Sequence, residues 1–141
     1  MNNMLDLVTR IEYVEKIEDI IQMKPKDVEE EEGAVFLSKM FYKACKDYFE
    51  AIKIENNIQM FSCTKIFREY SCFFKKEDVV IYVHISDYLF WGLKNVMYKI
   101  AKHSQDFSGE NCKYCDIIDL EESIMKLFDE ASQQSEDVHD E

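Results

Sequence analysis

The sequence predicts an all-α chain, and three observations carry that reading. Only three glycines and one proline in 141 residues leave few turn formers, which argues for few connections. Apolar residues recur at three- and four-residue spacing along most of the chain. One long stretch, Asp78 to Asp106, keeps that spacing without a proline. In it, Ile81, Ile85, Leu89, Leu93, Val96 and Ile100 line one face of a helix of roughly seven turns. Val83, Phe90 and Met97 form a second row. Two apolar rows cannot both be satisfied by one neighbour, so the stretch is expected at the centre of a packed unit, with one row serving this chain and the other a partner.

Composition sets the limits. With 47% hydrophobic and 13% aromatic residues, the chain has material for one core and not for two full domains. No apolar run approaches a membrane-spanning length, and the opening MNNMLDLVTRIEYVEK is too charged for a secretory signal. An intracellular location is therefore expected. Five cysteines scattered through apolar surroundings fit reduced thiols. The net charge of −12 is uneven: residues 1–33 carry −6, residues 34–105 carry +4 and residues 106–141 carry −10. A mildly basic middle between acidic ends disfavours strong binding of nucleic acid by the whole chain and leaves room for a local DNA contact.

Taken in order, residues 1–33 form an acidic helix and linker. Leu5, Val8, Ile11, Ile17 and Ile21 have helical spacing, Pro25 stops the helix, and DVEEEEG at 27–33 is a solvated boundary. Residues 34–57 form an amphipathic helix. Phe36, Leu37, Met40, Phe41, Ala44, Tyr48 and Ile52 oppose Lys39, Lys43, Lys46 and Lys53, and the pattern breaks at Asn56 and Asn57. Residues 58–132 read as a short helix capped by Ser62, the long helix, a loop around Ser108, Gly109 and Asn111, and a short helix with Asp119 and Glu122 as a capping box. Residues 133–141 are an acidic tail, too polar to fold alone.

Short helix, long helix, short helix is the histone-fold pattern, in which two such units cross and bury the faces each leaves open. The stretch DVVIYVHISDYLFWG also resembles the start of the central helix in the TFIID subunit 11 family of TBP-associated factors. Val79, Val80, Ile81, Ile85, Ser86, Phe90 and Gly92 fall in that family's order. The segments around Lys65, Ile66 and Arg68, and from Ile118 to Leu127, are similar to its first and third histone-fold helices.

The resemblance implies a non-catalytic, nuclear subunit of the general transcription factor TFIID in RNA polymerase II transcription initiation. Its expected partners are a TFIID subunit 13-like histone fold and, near the promoter, TBP, TFIIA and DNA. The expected partner-binding residues are Val80, Val83, Ile85, Leu89, Phe90, Trp91, Val96 and Ile100, and the expected DNA contacts are Lys75 and Lys76 in the loop before the central helix. The alternative is a self-contained helical-bundle binding protein, such as a viral or parasite adaptor, holding a partner helix in an apolar groove.

Chemistry is sparsely signalled. Cys112 and Cys115 have the spacing of half a zinc site or a redox pair, with His84, His103 or Cys72 as remote ligand candidates. Glu121 and Glu122 are adjacent and point in different directions, so they form no acid–base dyad. The sequence holds no phosphate loop, nucleophile elbow or two-histidine helix motif. No enzyme, cofactor, metal, membrane or small-molecule substrate is expected. Tyr82, Tyr88, Phe90 and Trp91 are too many large rings for a small domain to hide, so some are expected at an interface.

Overall fold

The computed structural model describes residues 4–23, 30–64, 68–102 and 111–139. Among these residues the chain forms α1 (Leu7–Gln22), α2 (Glu30–Asn56), β1 (Gln59–Thr64), β2 (Glu69–Lys76), β3 (Val79–Phe90), β4 (Lys94–Ala101), β5 (Lys113–Cys115), a 3₁₀ turn (Ile117–Asp119) and α3 (Leu120–His139). The strands make one antiparallel meander in the order β1-β2-β3-β4-β5. The expected all-α histone fold is thereby corrected to a mixed α/β fold, because the stretch read as the long central helix is the hairpin of β3 and β4. The short helix expected from Ser62 falls partly outside the described residues, and its flanks belong to β1 and β2.

Two local features explain the misreading. Spacing of four is a multiple of two, so Ile81 and Ile85 share a face of a strand as readily as of a helix. Val83 lies between them on that same face, and all three are buried. Turns, moreover, are made here mostly by residues other than glycine. Asn57, Arg68, Glu77, Trp91 and Asn111 all adopt positive φ, a left-handed conformation that ordinarily favours glycine. A count of glycine and proline therefore understates the number of connections.

The helices form for recognisable reasons. Asp6 caps α1 by accepting from the Thr9 amide (2.9 Å) and hydroxyl (3.1 Å), and Val14, Ile17 and Ile20 make its buried stripe. Along α2, Leu37, Phe41, Cys45, Tyr48, Phe49 and Ile52 repeat at three to four residues and are all buried. The helix ends where Asn57 turns left-handed: the Ile58 amide reaches back to the Lys53 carbonyl and the Asn57 amide to that of Ile54, the Schellman arrangement.

The helices bury one face of the sheet. Tyr70, Cys72 and Phe74 on β2, Ile81, Val83 and Ile85 on β3 and Val96 on β4 join the helix stripes in one core. Phe49 is its aromatic hub, 5.0 Å edge-on from Tyr70 and 5.7 Å from Phe74 between ring centres, contacts worth about 1 kcal/mol each beyond their burial. Glu121 on α3 is fully buried, and its carboxylate accepts from the Leu5 amide (3.0 Å) and the Asn56 side-chain amide (2.8 Å), with Arg10 Nε at 3.9 Å. One carboxylate thus ties the approach to α1, the end of α2 and the start of α3. The outer face carries a second cluster of Phe73, Tyr82 and Ala101, flanked by Val80 and Met97, with no helix residue in it among those described.

Candidate functional site

The β3–β4 hairpin departs from its ladder before it turns. Pairing is regular from Val80↔Ala101 to Ile85↔Val96, then slips before Phe90↔Lys94, a bulge that bends the hairpin end. Asn95 sustains the slip by donating to the carbonyls of Ser86 (3.1 Å) and Tyr88 (3.3 Å), which the displaced ladder leaves over. At the tip the Leu93 amide bonds the Phe90 carbonyl at 2.9 Å across Trp91 (φ +54) and Gly92 (φ +70). Two positive φ values in succession mark a mirror-image hairpin turn. Glycine adopts its conformation freely, whereas tryptophan does so at a cost of about 1–2 kcal/mol.

This turn displays apolar side chains. Trp91 is 83% exposed, Leu93 64%, Tyr88 51% and Leu89 50%. The tryptophan is nonetheless oriented, because its indole N–H donates to the Tyr114 hydroxyl on β5 at 2.9 Å. Phe90 lies behind it and meets Tyr88 (5.4 Å), Tyr114 (6.1 Å) and, edge-on, His84 (5.7 Å). The result is a continuous aromatic surface across β3 and β5.

A polar relay runs beneath that surface. His84 Nδ1 lies 3.0 Å from the Tyr82 hydroxyl, and Nε2 lies 3.3 Å from Glu69 Oε1, at the start of β2. Glu69 Oε1 also accepts from the Tyr88 hydroxyl at 2.7 Å. That hydrogen bond, with lesser help from partial burial, holds the Tyr88 phenol above its ordinary range. The relay orders a tyrosine, a base and a carboxylate as a catalytic series would be ordered. Tyr82 is only 5% exposed, however. The relay fixes the rings above it.

Charges near the turn end of the hairpin are matched. Arg68 Nε sits 2.9 Å from Asp87, and the same guanidinium donates to the carbonyls of Ile20, Ile21 and Met23, capping the end of α1. Lys94 pairs with Asp116 at 3.0 Å.

Other candidates are accounted for elsewhere. Cys45 and Cys115 are free thiols. Burial pushes the Cys115 thiol up to about 12 and raises that of Cys45, so both are held as neutral thiols at neutral pH. Among the described residues no three His, Cys, Asp or Glu side chains converge as a metal site, and His103 lies outside them. A groove of about 470 Å³ between α1 and α2 has an apolar floor of Ile20, Met23, Met40 and Ala44. Its rim balances Lys16 and Lys43 with Asp19 and Asp47, so it selects no charge. No described helix is long and apolar enough to cross a membrane.

The residues expected to bind a partner divide into two groups. Leu89, Phe90 and Trp91 are brought together on the hairpin. Val83, Ile85 and Val96 are fully buried in this chain's own core, Val80 packs on the outer-face cluster and Ile100 is part-exposed on β4, so no single face presents all eight. Lys75 and Lys76 end β2 at the opposite hairpin, beside Glu77. The loop before a central helix, on which their DNA contact rested, is a strand turn. Sequence reading did not pick out Glu69 or Tyr114 and gave Leu93 only a place in the apolar row of a helix; the Trp-Gly pair between alternating apolar residues was the available sign of a turn. Compared with known proteins, the chain matches no family model, no curated protein and no solved structure.

Proposed function

We propose that the chain is a non-catalytic protein-recognition module: helices and inner sheet face form the scaffold, and the β3–β4 hairpin docks a partner protein. The observation that carries this is Trp91, the one tryptophan of the chain. It stands in a left-handed conformation, almost wholly in solvent, and is oriented by Tyr114. Strain of this kind persists where function maintains it, and tryptophan and tyrosine are the residues that most often dominate the energy of a protein interface. Tyr88 and Leu89 on β3 and Leu93 in the turn surround it as an apolar rim.

The role in transcription initiation implied by the family resemblance relied on a helical handshake, and strands at those positions withdraw that support. The self-contained binding protein, the other expectation, carries over in an α/β scaffold with a protruding hairpin in place of a receiving groove.

The test is site-dependent capture. The intact chain, with a photo-crosslinking residue at Leu89, is expected to trap one stoichiometric protein from its native extract. Trp91→Ala and Leu93→Ser are expected to abolish the product, and Lys75→Ala, at the opposite hairpin, to retain it. A product unchanged by both hairpin substitutions would overturn the proposal.

A further inference from the structure

We infer that the partner presents a cation, an arginine or lysine side chain in a basic segment, to the aromatic surface of the hairpin; this rests on the docking reading above. Tyr88, Phe90, Trp91 and Tyr114 form one connected surface. The face of each ring is the negative end of its quadrupole and attracts a cation within about 6 Å. Glu69 lies at the edge of that surface, its carboxylate against the Tyr88 hydroxyl.

The charge balance around Glu69 favours the same ligand. Asp87 is matched by Arg68 and Asp116 by Lys94. Glu69 has hydrogen bonds from Tyr88 and His84, and among the described residues no lysine or arginine pairs with it. Its side chain keeps 17% of its surface in solvent. Rings plus one carboxylate whose partners are a phenol and an imidazole constitute a cation site by composition.

Trp91 supplies the readout, since it is the only tryptophan and stands in the site. The probes are a capped octapeptide of arginine and glycine, its glutamate and glycine counterpart, and a single-stranded oligonucleotide, each titrated into the intact chain at fixed salt. The arginine peptide is expected to change Trp91 fluorescence saturably, and the other two to leave it unchanged. Glu69→Gln, which keeps an acceptor for Tyr88 and removes the charge, is expected to weaken binding about tenfold. Tyr88→Leu, at a half-exposed position, is expected to weaken it about threefold. Glu130→Gln, on the exposed side of α3, is expected to leave it as it was.

Equal weakening by Glu69→Gln and Glu130→Gln would mean diffuse attraction of a polycation and would overturn the inference. So would a response to the acidic peptide or the oligonucleotide that matches the arginine peptide, or no response at all. If those results came while hairpin-dependent capture persisted, docking would stand and the cationic partner would fall. Loss of the hairpin dependence itself would remove both.

Discussion

Replacing Trp91 with glycine separates a recognition residue from a structural one. Roughly a sixth of the tryptophan's surface is covered, since 83% is exposed. Full burial of a large aromatic removes up to about 250 Å², so the covered part is about 40 Å², worth about 1 kcal/mol at ~25 cal/mol/Å². The solvent-exposed hydrogen bond to Tyr114 adds about 0.5 kcal/mol. Against these, glycine relieves the left-handed backbone at φ +54 by about 1–2 kcal/mol, less about 0.5–1 kcal/mol for its greater freedom in the unfolded chain. The terms offset in large part, and Trp91→Gly is expected to be about 0–1.5 kcal/mol less stable than the parent while losing partner capture. Phe49→Ala, in the fully buried hub, is expected to cost about 3–5 kcal/mol. Urea unfolding followed by circular dichroism measures both, because the substitution removes the fluorescent probe. A loss beyond about 2 kcal/mol for Trp91→Gly would make the residue an anchor of the fold and would take away the main support for recognition.

Leu89→Glu places a charge on a half-exposed tip, so it is expected to fold normally by circular dichroism; an unfolded product would contradict the hairpin placement. Glu121→Leu leaves Arg10, the Leu5 amide and the Asn56 side chain without their shared acceptor, and a destabilisation of about 3–5 kcal/mol is expected in denaturant titration. Arg68→Ala uncovers three carbonyls at the end of α1 and leaves Asp87 unpaired. A cost of about 2–3 kcal/mol and faster amide exchange in the last turn of α1 are expected. The Cys115 thiol titrates at about 12 when folded against 9.0 for an ordinary thiol, so the unfolded chain loses its proton first. Stability is therefore expected to be unaffected by this group below pH 9 and to fall as pH rises from about 9 toward 12, by at most about 1.4 kcal/mol per pH unit. Melting temperature against pH should fall less steeply in Cys115→Ala.

The helices were legible because their stripes are long and regular: Leu37, Phe41, Tyr48 and Ile52 can share a face only at helical pitch, and Asn56 and Asn57 mark the stop. The sheet was harder to read. Ile81, Ile85 and Leu89 satisfy both periods, and the better discriminator was the β-branched run VVIYVHI, whose stiff side chains favour extended backbone. Tyr88, Leu89, Phe90 and Trp91 could be singled out as too apolar to hide together, because that follows from residue type alone.

The sequence by itself determined which residues cannot all be buried and that amphipathic helices lie near 7–22 and 34–56, since both depend on side chains near one another along the chain. Tertiary structure decided that Glu69 and Tyr114 join Trp91. They stand 22 residues before and 23 residues after it, and only strand register, with the Asn95-supported bulge turning the hairpin end, puts the carboxylate and the phenol onto one surface with the indole.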